Sequence, residues 1–166
     1  AVEAGAHIAE LIEKIVAAKN YLAAYGQVRQ LHFGYLDMAW HTLTSPFEIP
    51  ETLTAQEAVI KFGDKAMASV QVLPLVSGTH MQFAFTHIFS GGYATGYYGY
   101  KWAEVLAADA YSYFQEKGIF SKEVADKFRY ELLEKGGHEH PMTLYVNFRG
   151  HKPQTKALID QMGLGK

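Results

Sequence analysis

Apolar residues recur at three- and four-residue spacing along most of this chain, the period of helices that bury one face. In the first segment, Ile8, Leu11, Ile12, Ile15, Val16 and Leu22 line one side, with Glu10, Glu13, Lys14 and Lys19 opposite. The pattern predicts a helix over about 4–25, with Glu10 and Lys14 paired at i,i+4 and Gly26 interrupting it. A second helix is expected over 27–41, turning Val28, Leu31, Tyr35, Leu36 and Ala39 inward. Asp37 and His41 share a face there, at the spacing of a structural hydrogen bond. Pro46 and Pro50 mark a loop. Thr54 followed by Glu57 reads as a capping box, in which each side chain satisfies the other residue's backbone N–H. The helix it opens should reach about Val70, with Val59, Phe62, Ala66, Met67 and Val70 on one side, weakened slightly at Gly63 and closed before Pro74.

Residues 75–85 carry a mixed signal. Met81, Phe83 and Phe85 alternate as in a short strand, while the surrounding glycines favour irregular structure. From about Tyr97 to Lys117 the chain is apolar on nearly every face, the mark of a helix central to a core. Glu104 and Asp109 ride on it, and buried carboxylates need partners. Gly118 suits the residue after a helix. Ser121 should cap a helix to about Lys135, stopped by Gly136-Gly137. Pro141 fits the first position of a short helix ending near Phe148, and Pro153 opens a last one to Met162, with Gly163 behind it. With no internal repeat, low-complexity tract or linker, the expectation is an all-α, single multi-helix domain spanning 1–166.

Composition narrows the function classes. Of 166 residues 49% are hydrophobic, enough for a sizeable core, and a net charge of −2 without a basic run gives no support to nucleic-acid binding. Absence of cysteine removes disulfides and thiolate metal sites. No membrane span or leader peptide is legible, so neither nucleic acid nor membrane is expected as a partner.

One stretch departs from core composition. Between His87 and Tyr100 stand four glycines (Gly91, Gly92, Gly96, Gly99) and four tyrosines (Tyr93, Tyr97, Tyr98, Tyr100). Glycine permits positive φ and close backbone approach; tyrosine offers a rigid ring and a phenol that stays protonated at neutral pH. Tyr93, Tyr97 and Tyr100 could form one packed helical face, but the glycines would weaken that helix. A contact surface for an extended polar molecule such as a peptide is the favoured reading.

The segment from Phe85-Thr-His87 through Gly91-Gly92-Tyr93, Tyr97-Tyr98-Gly-Tyr100 and Trp102-Ala-Glu104 to Asp109 resembles the thimet oligopeptidase family of zinc metallopeptidases, peptidase family M3. The likeness continues through Gly118-Ile119-Phe120, Lys127-Phe128-Arg129, Leu133-Glu134, Gly136-Gly137 and Phe148-Arg149-Gly150 to Gly163-Leu164. It holds more loosely upstream, at Arg29-Gln-Leu31, Leu36–His41 and Phe47-Glu48. The resemblance implies hydrolysis of short peptides. It implies Tyr93 and Tyr100 as hydrogen-bond donors to the transition state, Tyr97 as a substrate contact, His87 as a donor to the substrate backbone, and Gly91 and Gly92 as the substrate-binding hinge of the loop. His151, after Phe-Arg-Gly, departs from the relatives and receives no role.

Such peptidases carry His-Glu-x-x-His on a helix, two histidines at i and i+4 binding zinc while the glutamate activates water. The eight histidines here (7, 32, 41, 80, 87, 138, 140, 151) include no pair at that spacing, and His138-Glu139-His140 reads as a loop. The chain is therefore expected to be the C-terminal helical part of a longer catalytic domain. Zinc belongs to the full-length enzyme, with ligands outside this chain, and none is expected in this piece, which should be inactive alone. Its expected partners are short peptides and the missing upstream part that bears the zinc motif. The rival readings are a stand-alone peptide-binding module and a purely structural domain. Oligopeptidase and dipeptide-releasing carboxypeptidase are not separable, although Leu36–His41 leans toward the latter. The cytoplasm is the expected compartment, with export left open.

Overall fold

The computed structural model of the chain describes residues 2–165, with side chains from His7 onward. It is all-α. Among the described residues seven α-helices run in the order α1 (Val2–Ala18), α2 (Ala23–His41), α3 (Ala55–Met67), α4 (Gly99–Lys117), α5 (Lys122–Phe128), α6 (Pro141–Arg149) and α7 (Lys156–Gln161). Tight 3-10 turns occupy Ala68–Val70, Met81–Phe83 and Thr86–Ile88, and a π-helical turn Arg129–Leu133. Among the described residues there is no strand, so the alternation at Met81, Phe83 and Phe85 marks 3-10 turns. The chain divides into two compact units, Ala1–Ala84 and Phe85–Lys166; no proline, glycine or change of composition flags the boundary.

In the first unit the local signals hold. Lys14 and Glu10 meet at 2.6 Å. Thr54 and Glu57 form the full capping box, the Glu57 amide donating to Thr54 Oγ1 at 3.2 Å and the Thr54 amide to Glu57 Oε2 at 2.8 Å. The Thr54 amide and the Thr54 hydroxyl, which also donates to Glu57 Oε2 at 2.8 Å, hold the Glu57 carboxyl below its usual range. His41 Nδ1 lies 2.9 Å from the buried Asp37 carboxylate. Gln82 is buried over α3, its amide donating to Ile60 O at 3.3 Å and Asp64 Oδ1 at 3.2 Å. Gly63 makes this possible, since a Cβ there would lie 2.6 Å from that side chain.

The first helical break falls elsewhere than expected. Helix α1 ends at Ala18, residues 19–22 form turns, and Leu22 takes a left-handed conformation at φ 54°. Gly26 lies inside α2, its amide donating to Leu22 O at 2.9 Å. One glycine costs a helix only about 1 kcal/mol, too little to end it. Asn20, a residue that favours turns, instead accepts from the Ala23 amide at 3.1 Å. Helix α2 also turns differently: Leu36 and Asp37 are buried, whereas Leu31 and Tyr35 are exposed. The apolar face of α1, Ile8 to Val16, lies in the open.

In the second unit Phe148, Ile88, Leu144 and Val124 are almost fully buried. Phe148 packs edge-on against Tyr113 and Phe128, at 5.5 and 5.3 Å between ring centroids. Ser121 Oγ accepts from the Val124 amide at 3.4 Å, and Pro141 stands in the first turn of α6. His140 caps that helix, Nδ1 accepting from the Met142 amide at 3.2 Å. Three expectations give way. Helix α4 buries only Ala108 and Asp109 completely, leaving Trp102 and Tyr111 half in solvent. Helix α5 stops at Phe128, short of Lys135, and gives way to the π turn. Helix α7 begins at Lys156, three residues after Pro153. The two carboxylates singled out on α4 find partners, Glu104 with Lys101 and Asp109 with Tyr145 and Arg149.

Candidate functional site

The Gly/Tyr segment is a tight loop built around one carbonyl. Thr86 O accepts from the amides of Phe89 (3.1 Å), Ser90 (2.8 Å) and Gly91 (3.1 Å), and from Ser90 Oγ (3.3 Å). So many donors on one acceptor pull the chain back over itself. A Cβ at Gly91 would lie 2.8 Å from His87 Cα and 2.9 Å from His87 O, so only glycine fits. Gly92 follows at φ 79°, a conformation that L side chains rarely adopt. The Tyr93 amide then donates to His87 O at 3.1 Å. The glycines thus serve close approach and positive φ in a closely bonded loop. Thr95, a β-branched residue, sits at φ 58°, a strained position of the kind that gathers at ligand-contacting segments. The Gly96 amide returns to Tyr93 O at 2.9 Å, and that of Gly99 to Gly96 O at 3.0 Å, leading into α4.

This backbone brings all the singled-out rings together. His87 lies 5.8 Å from Tyr93 and 5.9 Å from Tyr97, centroid to centroid. Tyr93 and Tyr100 stack at 5.1 Å with 23° between their planes, and Tyr97 meets Tyr100 at 5.1 Å. Phe85, only 7% exposed, forms the floor, 5.6 Å from His87 and 5.0 Å from Tyr97. Its place beneath the cluster has no periodic signature in the sequence. His87, Tyr93 and Tyr100 are exposed, while Tyr97 is half-buried. Tyr98 is largely exposed.

The Tyr100 phenol is a protonated donor over the neutral range. A hydrogen bond with Tyr93 pushes Tyr100 above the ordinary phenol value, helped by desolvation. Such a cluster presents O–H and imidazole N–H groups on a fixed frame, able to hydrogen-bond an extended backbone or stabilise developing negative charge on oxygen. It offers no metal site: among the described residues no three His, Asp or Glu side chains gather as ligands. The residues present therefore do not fit zinc. Also among the described residues, no helix is long and apolar enough to cross a membrane.

The chain is similar to known peptidases. Oligopeptidase A of Salmonella typhimurium and that of Escherichia coli are each 43% identical over 155 residues, covering 93% of this chain and 22% of the relative. Dipeptidyl carboxypeptidase of Salmonella typhimurium is 35% identical over 159 residues, 95% of this chain and 22% of the relative. The chain thus spans about a fifth of the length of these relatives. The model of peptidase family M3 matches residues 3–164. By that match, running through both units and the tyrosine loop, the chain belongs to peptidase family M3.

Proposed function

We propose that this chain is the substrate-contacting, oxyanion-stabilising part of a peptidase that hydrolyses short peptides. The observation that carries the reading is the gathering of His87, Tyr93, Tyr97 and Tyr100 into one solvent-facing cluster of donors. Peptide-bond hydrolysis places negative charge on the former carbonyl oxygen. In this reading Tyr93 and Tyr100 donate to that oxygen, and a held phenol gains most as charge develops. Stacked, they face it at little cost in reorganisation. His87 donates to the substrate backbone, Tyr97 supports the peptide beside it, and Gly91 and Gly92 let the backbone approach. The zinc that the family implies would supply Lewis acidity and would be held by residues outside this sequence. The apolar face of α1 and the exposed side of α4 suit packing against the part that bears them.

The test uses the peptidase polypeptide that carries both this region and the zinc motif. Tyr93→Phe and Tyr100→Phe should each lower kcat about 10²–10³-fold, with an unchanged circular dichroism spectrum and melting temperature. Unaltered kcat in both would overturn the reading and favour a structural domain. The 166-residue chain alone should not cleave a quenched-fluorescent oligopeptide with zinc added; chelator-sensitive turnover by it would overturn the division of labour.

A further inference from the structure

A deeply buried carboxyl group of the second unit, Asp109, lies on the same helix as Tyr100. Asp109 is 3% exposed. Tyr145 of α6 donates to its Oδ2 at 2.6 Å, and the Arg149 guanidinium stands 3.8 Å away. Arg149 also reaches Ser112 Oγ at 3.2 Å and both oxygens of Glu116, at 2.5 and 3.2 Å. Two residues one turn apart on α6 therefore grip Asp109, Ser112 and Glu116, which lie along one face of α4. A slide of α4 by a single residue, about 1.5 Å, would disturb the geometry of all of these bonds.

Tyr100 sits in the first turn of that helix, nine residues before Asp109 and so about 13.5 Å along its axis. Its stacking partner is anchored separately: the Tyr93 amide is bonded to His87 O, and Tyr93 O to the Gly96 amide. The relative position of the two rings thus depends on where α4 is held. We propose that Tyr145 is a positioning residue, its hydrogen bond to Asp109 fixing the register of α4 and thereby the stacking of Tyr100 on Tyr93. The catalytic meaning of that stack rests on the function proposed above; the mechanical link does not.

Tyr145→Phe is the discriminating variant, because it removes one hydroxyl, changes no charge and leaves Asp109 beside Arg149. Carbon-13 labelling of tyrosine in the 166-residue chain reports the ring-current shifts of Tyr93 and Tyr100 at neutral pH and the titration of Tyr100. The variant is expected to collapse the mutual ring-current shifts and move the Tyr100 titration down toward the ordinary phenol value of about 10. Val124→Ala, a core truncation on α5, is the control; it should lower the melting temperature while leaving both tyrosine signals in place. Ser112→Ala, a milder loss at a half-buried site, should move the same signals in the same direction by less, and it serves if Tyr145→Phe does not fold. Tyrosine signals untouched in the folded variants, or displaced equally by Val124→Ala, would overturn the proposal. Intact kcat in Tyr93→Phe and Tyr100→Phe would instead defeat the proposed function and leave this link standing.

Discussion

Two ring clusters, one taken from each unit, are built to similar spacing for different ends. In the first unit Trp40, Phe47 and Phe62 meet with centroids 4.3–5.2 Å apart, half-buried and without a hydroxyl, tying α2 to α3 and the loop between them. In the second, His87, Tyr93, Tyr97 and Tyr100 meet at 5.1–5.9 Å, mostly exposed and rich in O–H groups. Ring spacing alone does not separate a core from a contact surface. The polar handle on each ring does, together with the backbone beneath: regular helix under the first cluster, a glycine-shaped loop under the second.

The contrast can be broken most forcefully in the packing cluster. Phe62→Ala removes the ring that touches both Trp40 and Phe47 and should cost about 3 kcal/mol in denaturant unfolding. The tyrosine ring-current shifts should survive it; their loss would erase the distinction. A smaller effect is expected at the loop. Gly91→Ala forces a Cβ against the His87 backbone, a strain of about 1–3 kcal/mol. It should scatter Tyr93 from Tyr100 and lower kcat of the complete peptidase more than it lowers the melting temperature.

The smallest effect concerns pH, and it has opposite sign in the two units. Burial lowers the His32 imidazole below its ordinary value, with a Val70 backbone bond opposing and Arg29 adding to the depression; its Nε2 has no hydrogen-bond partner. The folded first unit therefore holds fewer protons here than the unfolded chain. Its stability is complete above about pH 6.5 and declines as pH falls toward the lowered folded value. His32→Gln should flatten that acid limb. In the second unit burial and the bond to Asp109 raise Tyr145, and the bond to Tyr93 raises Tyr100. Their contribution is complete below about pH 10 and is lost as pH rises through the raised values, giving an alkaline limb that Tyr145→Phe should reduce.

What was legible in the sequence is what closes over three or four residues. The Thr54–Glu57 box, the Ser121 cap, Pro141 at the start of α6, the Glu10–Lys14 pair and the Asp37–His41 contact all have partners within one turn. The loop motif was equally plain, and its His and Tyr residues do converge. Which way a helix faces was not legible, because tertiary packing decides it. Leu31 and Tyr35 have the right period for burial yet stand in solvent, while polar Asp37 is buried. Asp109 needed a partner on periodicity grounds, but its identity, Tyr145, lies 36 residues away. Phe85 under the cluster and the stacking of Tyr93 on Tyr100 likewise come from the chain folding back on itself.

The convergence of donors on Thr86 O bears on how the molecule assembles. Every backbone bond that shapes the tyrosine loop, from Phe89–Thr86 through Tyr93–His87 to Gly99–Gly96, joins residues no more than six apart. Loops that short close at small entropic cost, and structures dominated by such neighbours form quickly. The frame of the ring array is thus a local product that can take shape early in folding. Only the seating of α4 through Tyr145 waits for distant parts of the chain.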